Sequence, residues 1–206
     1  FAERVRAELG VADVLVNNAG VGLYGGFLHT SLEDWKWLVD TNFWGVVHGC
    51  HFFLPSMVER GTGGHVVNVA SAAGYVNSAP LCAYGTTKFA VMGLSEALRD
   101  ECAAHDIGVS VVCPGFVDTP IVEHMRVRGV QQPEALRDQV RAWYRKRDLK
   151  PERVASAVLS ALKRDRALVP VAPEAWALYA LKRLTPGLLP RMLRTLGARF
   201  GPGEQQ

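Results

Sequence analysis

Apolar runs and amphipathic stretches alternate along the chain. Residues 2–9 carry a helical pattern that stops at Gly10. DVLVN (13–17) is a short continuous apolar run, which predicts a buried strand. A long helix is predicted from about 32 to 60, opened by Ser31 and Asp34 at the spacing of a capping box. HVVNVA (65–70) reads as the second strand, residues 82–104 as a helix, and IGVSVVC (107–113) as the third strand. Residues 118–148 are charged and irregular. Pro151 suits the first turn of a helix over 152–164, and ALVPV (167–171) is a fourth strand. Apolar strands separated by helices predict an α/β protein with a doubly wound, Rossmann-like parallel sheet covered on both faces. One domain is expected over 1–172, with a helical appendage of the same domain over 173–206. The sequence has no internal repeat and no low-complexity linker.

Composition narrows the function classes without selecting one. Apolar residues make up 49% and charged residues 21% of the 206, ordinary for a globular protein. A net charge of +3 gives no basis for a nucleic-acid partner. Cys50, Cys82, Cys102 and Cys113 are scattered, which argues against both a zinc site and a disulfide framework. With no apolar run of membrane-spanning length and no leader pattern at the start, the cytoplasm is the expected compartment. The chain opens on Phe1 in what reads as the middle of a helix, so residues are expected upstream.

Gly20, Gly22 and Gly25 spell GxGxxG directly after the first strand. A dinucleotide fingerprint needs its helix to start within the glycine turn, where free N–H groups face the pyrophosphate. Here the helix waits until Ser31, so the glycines read as a flexible turn.

The stronger signal is what collects at the strand ends, where doubly wound sheets bind ligands. Asn17, Asn18, Ala19 and Gly20 follow the first strand, Ser71 the second, and Pro114, Gly115 and Thr119 the third. Tyr84 and Lys88 lie one turn apart on the helix between the second and third strands. A tyrosine ordinarily titrates near 10, and an ammonium one turn away is expected to lower that value. Such a phenol can protonate a carbonyl oxygen or deprotonate an alcohol, with Ser71 hydrogen-bonding the same oxygen. The missing hydride must come from a nicotinamide cofactor.

Taken in order, these segments resemble the short-chain dehydrogenase/reductase family over roughly residues 1–171. Asn17-Asn18-Ala19-Gly20 matches its NNAG motif, Ser71 its serine, Tyr84-x-x-x-Lys88 its YxxxK, and Pro114-Gly115 its PG motif. Asn42, in DTNFWGVV, matches the asparagine that completes the family's catalytic tetrad through a water near the lysine; bonding to nearby backbone is its alternative reading. The resemblance implies catalytic Asn42, Ser71, Tyr84 and Lys88. It implies NAD(P) contact at Asn18, Ala19, Gly20, Tyr84, Lys88, Pro114, Gly115, Val117 and Thr119. NAD and NADP stay undistinguished, because the family's TGxxxGxG loop and first strands would precede Phe1, on the order of 70 residues at about 30 per βαβ unit. The tail looks like that of some actinobacterial members, including modules fused to an α/β-hydrolase.

The expected activity is interconversion of a secondary alcohol and a ketone; a non-catalytic scaffold of the same shape is the alternative. Val76, Leu81, Phe116 and Ile121 suggest a lipophilic substrate. His48 and His51 have metal-like spacing but apolar neighbours and no acidic partner, so no metal is expected. Apolar residues on the helix 32–60 suggest a homodimer or homotetramer through it and the helix 82–104. The basic, apolar tail, broken into two short helices by Pro186 and Pro190, is expected to pack on the domain. The sharper expectation is weak peripheral contact with anionic lipid.

Overall fold

In the computed structural model, the described residues are 1–185 and Gly187. The elements run α1 (Ala2–Leu9), β1 (Val14–Asn17), β2 (Leu23–Tyr24), α2 (Leu32–Val39), α3 (Gly45–Arg60), β3 (Gly64–Val69), α4 (Cys82–Ala103), β4 (Ile107–Pro114), α5 (Ile121–His124), β5 (Arg126–Val127), α6 (Pro133–Arg147), α7 (Pro151–Arg164), β6 (Leu168–Val171) and α8 (Pro173–Leu184). Four strands form a parallel sheet in the order β1-β3-β4-β6, and β2 pairs in parallel with β5 in a second, two-stranded sheet.

Alternation along the central strands separates the two cores. Val66, Val109, Val111 and Cys113 join residues of α3, α4 and α8 on one face. Val67, Val112, Val169 and Val171 meet Val154, Ala157, Val158 and Ala161 of α7 on the other. Both faces of these strands are covered, which is why the runs are mainly apolar, with His65, Asn68 and Ser110 as their buried polar positions. Val14 and Val16 of the edge strand β1 are exposed.

Four expectations are corrected. The helix predicted over 32–60 is two helices joined by a π-helical turn, Asp40–Trp44. Ser31 accepts from Asp34 N at 3.1 Å as the helix cap, but the Asp34 carboxylate does not close a capping box. It accepts from Arg126 at 2.8 Å and from Arg128 at 2.8 and 2.9 Å.

Residues 118–148 are not irregular. Leu136, Val140 and Tyr144 of α6 turn one face inward at helical spacing, and Arg137 donates to the Met125 carbonyl at 3.1 Å. The glycines after β1 are no flexible turn either. A Cβ on Gly22 would lie 3.1 Å from Met125 Cβ, and one on Gly25 would lie 3.0 Å from Arg128 Cβ. Their bareness lets the β5 segment approach.

Helix α8 packs on the domain through buried Ala175 and partly buried Leu178 and Tyr179. The expected second tail helix, with Pro190, Arg191, Arg194 and Arg199, lies outside the described residues.

Candidate active site

The strand ends and the start of α4 meet around Lys88. This side chain enters the core at 4% exposure, and its ammonium donates to the Val69 carbonyl at the end of β3, at 3.1 Å. Small residues pack beside it on α4, and Ala83 and Gly85 are buried. Lys88 Nζ lies 5.9 Å from the centre of the Tyr84 ring. Ser71 follows β3 in extended conformation, and its hydroxyl accepts from Ala73 N at 3.1 Å, capping a short 3-10 turn over Ala72–Gly74.

Asn42 is fully buried, and the π-helical turn aims it inward. Its Oδ1 accepts from Val21 N at 2.8 Å, and its Nδ2 donates to Val21 O at 3.0 Å and to Thr87 Oγ1 at 3.2 Å. The side chain therefore clamps the segment after NNAG against the lysine's helix. Gly20 is the meeting point. A Cβ there would lie 3.4 Å from Asn42 Oδ1 and 3.5 Å from Lys88 Nζ. Asn18, Ala19 and Gly20 are exposed along this rim. Asn17 instead points down, donating to Asn68 Oδ1 at 2.8 Å, while Asn68 donates to Ser95 Oγ at 3.0 Å. That relay ties β1, β3 and α4 together beneath the site.

Most of the remaining predicted residues follow β4. Gly115 donates to the Val171 carbonyl at 3.2 Å, Val117 is buried, and Pro114 and Thr119 are half-buried. Thr119 lines a depression with Pro120, Val122, Arg141 and Tyr144. Phe116 meets Trp143 edge-on at 4.4 Å. Leu81 sits at the cap of α4, Ile121 reaches toward Gly22, and Val76 packs against the main core. Tyr144 is not among the residues read from the sequence; burial pushes its phenol up, and the nearby Tyr84 adds to that shift. Its signal was the helical spacing of Leu136, Val140 and Tyr144, obscured by the charges of α6. Among the described residues no group of His, Cys, Asp and Glu could hold a metal; His48 packs between Trp44 and Phe52.

The electrostatics differ from the expectation in one respect. Burial pushes the Tyr84 phenol up from its ordinary value, and the nearby Ser71 hydroxyl opposes that shift only in part. The net shift is therefore upward, not the lowering that the one-turn spacing to Lys88 predicts. Burial depresses the lysine itself, to about 8, because a desolvated ammonium is disfavoured. Cys113, buried beneath, is pushed up to about 12.

The family model of short chain dehydrogenases matches residues 1–128. "Probable oxidoreductase EphD" of Mycobacterium tuberculosis is 44% identical over 193 residues, covering 92% of this chain and 33% of that protein. SadH of the same organism, also named as an oxidoreductase, is 31% identical over 204 residues, covering 98% of this chain and 72% of that one. A crystal structure of a short-chain dehydrogenase/reductase from Burkholderia phymatum in complex with NAD superposes with a TM-score of 0.81 at 28% identity, covering 91% of this chain and 70% of that one. The chain thus spans about a third of the length of EphD.

Proposed function

The chain belongs to the short-chain dehydrogenase family, and from that membership and the site geometry we propose that it carries the catalytic face of an NAD(P)-dependent oxidoreductase. The reaction is interconversion of a secondary alcohol and a ketone on an apolar substrate. The observation that carries this reading is the buried Lys88 ammonium, placed one helical turn from Tyr84 and beside the bare Gly20.

The residues present fit a nicotinamide nucleotide. Lys88 Nζ has three N–H groups and, among the described residues, one acceptor, the Val69 carbonyl. The free donors suit sugar hydroxyls, and Gly20 beside them is exposed. Asn18, Ala19 and Gly20 would hold one side of the group, and Pro114, Gly115, Val117 and Thr119 the other. When bound, the nicotinamide supplies or accepts the hydride at the substrate carbon.

In the reducing direction, burial keeps the Tyr84 phenol protonated, so it donates its proton to the substrate oxygen as negative charge builds there. Ser71 donates a second hydrogen bond to that oxygen. The Lys88 charge stabilises the phenolate left behind, more strongly than in water because the site is desolvated. Phe116, Trp143 and Ile121 supply an apolar wall, which fits a lipophilic substrate.

The test uses the natural full-length protein and a series of ketones of graded apolar bulk, following consumption of reduced cofactor. Turnover that improves with bulk is expected. Absence of both saturable cofactor binding and turnover would overturn the reading. Cofactor affinity also has an expected pH dependence. Lys88 is charged below about 8, so affinity should hold at neutral pH and fall as pH rises through about 8. A titration of cofactor fluorescence against pH checks this.

We also propose self-association through α3 and α4, in a homodimer or homotetramer. Trp44, Phe52 and Phe89 are 46%, 60% and 40% exposed. Trp44, His48 and Phe52 form one outward stripe from the π-helical turn into α3, with ring centres 5.6 and 6.1 Å apart. Phe52→Glu is expected to shift the protein toward monomer in light scattering at micromolar concentration, since a charge there resists burial. We further propose weak peripheral contact with anionic lipid; no helix among the described residues is long and apolar enough to cross a membrane.

A further inference from the structure

The first turn of α8 touches three walls of the cleft at once. Tyr75, in the loop that follows Ser71, donates its buried hydroxyl to the Ala175 carbonyl at 2.7 Å. The neighbouring Glu174 extends its carboxylate into the space Gly115 leaves: a Cβ on Gly115 would lie 2.9 Å from Glu174 Oε1. The other carboxylate oxygen pairs with Arg147, the last residue of α6, at 2.9 Å. The Arg147 guanidinium lies 5.0 Å from the Trp143 ring centre and 5.9 Å from that of Phe116. Both rings meet Tyr144 edge-on at 5.6 Å.

The N-terminal half of α6 has its own attachments, Arg137 to the Met125 carbonyl and Arg141 near Glu123. Its C-terminal half carries Trp143, which is partly exposed, and Tyr144, which lines the depression beside Thr119. Beyond those rings, its side chains reach the rest of the domain through Arg147. A guanidinium fixed at one edge by a carboxylate keeps its plane available for the rings, so the ion pair orders the aromatic group rather than merely adding charge.

We propose that Glu174 is a positioning residue, which through Arg147 holds the end of α6 so that Phe116, Trp143 and Tyr144 form the substrate wall opposite Tyr84. The kinetic consequence rests on the oxidoreductase reading; the structural one does not. With the latch intact the wall is preformed and a bulky apolar substrate meets ordered rings. With it broken, binding must order them, and that cost falls on KM for bulky substrates rather than on the chemical step.

The test compares Glu174→Gln, Arg147→Gln and the double variant in the full-length protein. Hydrogen exchange across 140–147 is expected to quicken in each single variant, with α4 unchanged, and the double variant should exchange no faster than either single one. KM for a bulky apolar ketone should rise roughly 10-fold while kcat for a small ketone stays within about twofold. The backbone bond from Asp118 N to the Leu149 carbonyl, 2.9 Å, still holds the chain beyond α6, so these variants are expected to fold. Unchanged exchange in α6, additive effects in the double variant, or equal losses for small and bulky ketones would each overturn the proposal. If the unaltered protein turns over no ketone, the oxidoreductase reading fails and hydrogen exchange alone decides the latch.

Discussion

Tyr84→Phe is expected to lower turnover by about 10²- to 10⁴-fold, the range that a positioned general acid contributes. The substitution removes one oxygen and keeps the ring. The Ser71 hydroxyl beside it keeps its bond from Ala73 N, so the loss leaves that group partnered. Thermal stability and cofactor affinity should therefore stay near those of the unaltered protein. Lys88 keeps its bond to Val69 O and its place beside Gly20. The measurement is steady-state turnover alongside a cofactor titration and a melting curve on the same preparation. Near-normal turnover with intact binding would remove Tyr84 from the proton path and leave the fold as a scaffold with a vestigial motif.

Most of the sheet was legible because its strands are apolar on both faces. No register but a buried one accommodates HVVNV or VSVVC, and the helices between them follow from connection lengths. The site was legible through spacing. Tyr84 and Lys88 share a helix face, and Ser71, Gly20 and Gly115 each follow a strand at the same end of a parallel sheet, so topology alone brings them together. The π-helical turn was not legible. One extra residue per turn leaves the apolar pattern of 32–60 nearly intact, and its trace in the sequence is a polar Asn42 where a core position belongs. Nor was the β2–β5 pairing, since two residues on each side set no period. Gly22 and Gly25 were the signs of a close approach, but with the dinucleotide motif rejected they read as a flexible turn, because their spacing does not show what packs against them.

The tyrosine–lysine pair shows what spacing cannot give. One-turn separation predicts attraction between an ammonium and a phenolate, and hence a lowered phenol. The structure adds desolvation, which acts on both groups and outweighs the attraction at this separation. Tyr84 rises and Lys88 falls to about 8. A protonated tyrosine beside a lysine that is still charged at neutral pH suits proton donation to a ketone. Running the reaction toward the ketone then requires further positive charge nearby, which an oxidised nicotinamide would bring.

Asp34→Ala should produce the largest loss of stability outside the sheet, about 2–3 kcal/mol. The carboxylate is 3% exposed and accepts from Arg126, from Arg128 twice, and from Ser31 Oγ. Those bonds hold it at about 2 against an ordinary 3.8, which corresponds to roughly 2 kcal/mol at neutral pH. The effect sits at the lower end for a broken buried pair because the arginine side chains, 32% and 41% exposed, can turn to water. Arg126 also keeps its stack on Trp37, 4.0 Å from the ring centre. The sign against pH follows from the depressed carboxylate. The contribution is complete above about pH 5 and drains away as pH falls through 3.8 toward 2, so the variant and the unaltered protein should converge in acid. Function should suffer with it. Asp34 joins α2 to β5, and β5 lies between α5, which carries Ile121, and α6, which carries Trp143 and Tyr144. Loosening that joint frees the substrate wall at its other end from Glu174. Denaturant melts of the two proteins at pH 7 and pH 3 measure the difference; a gap of the same size at both would mean that the carboxylate's charge is not what holds β5 in place.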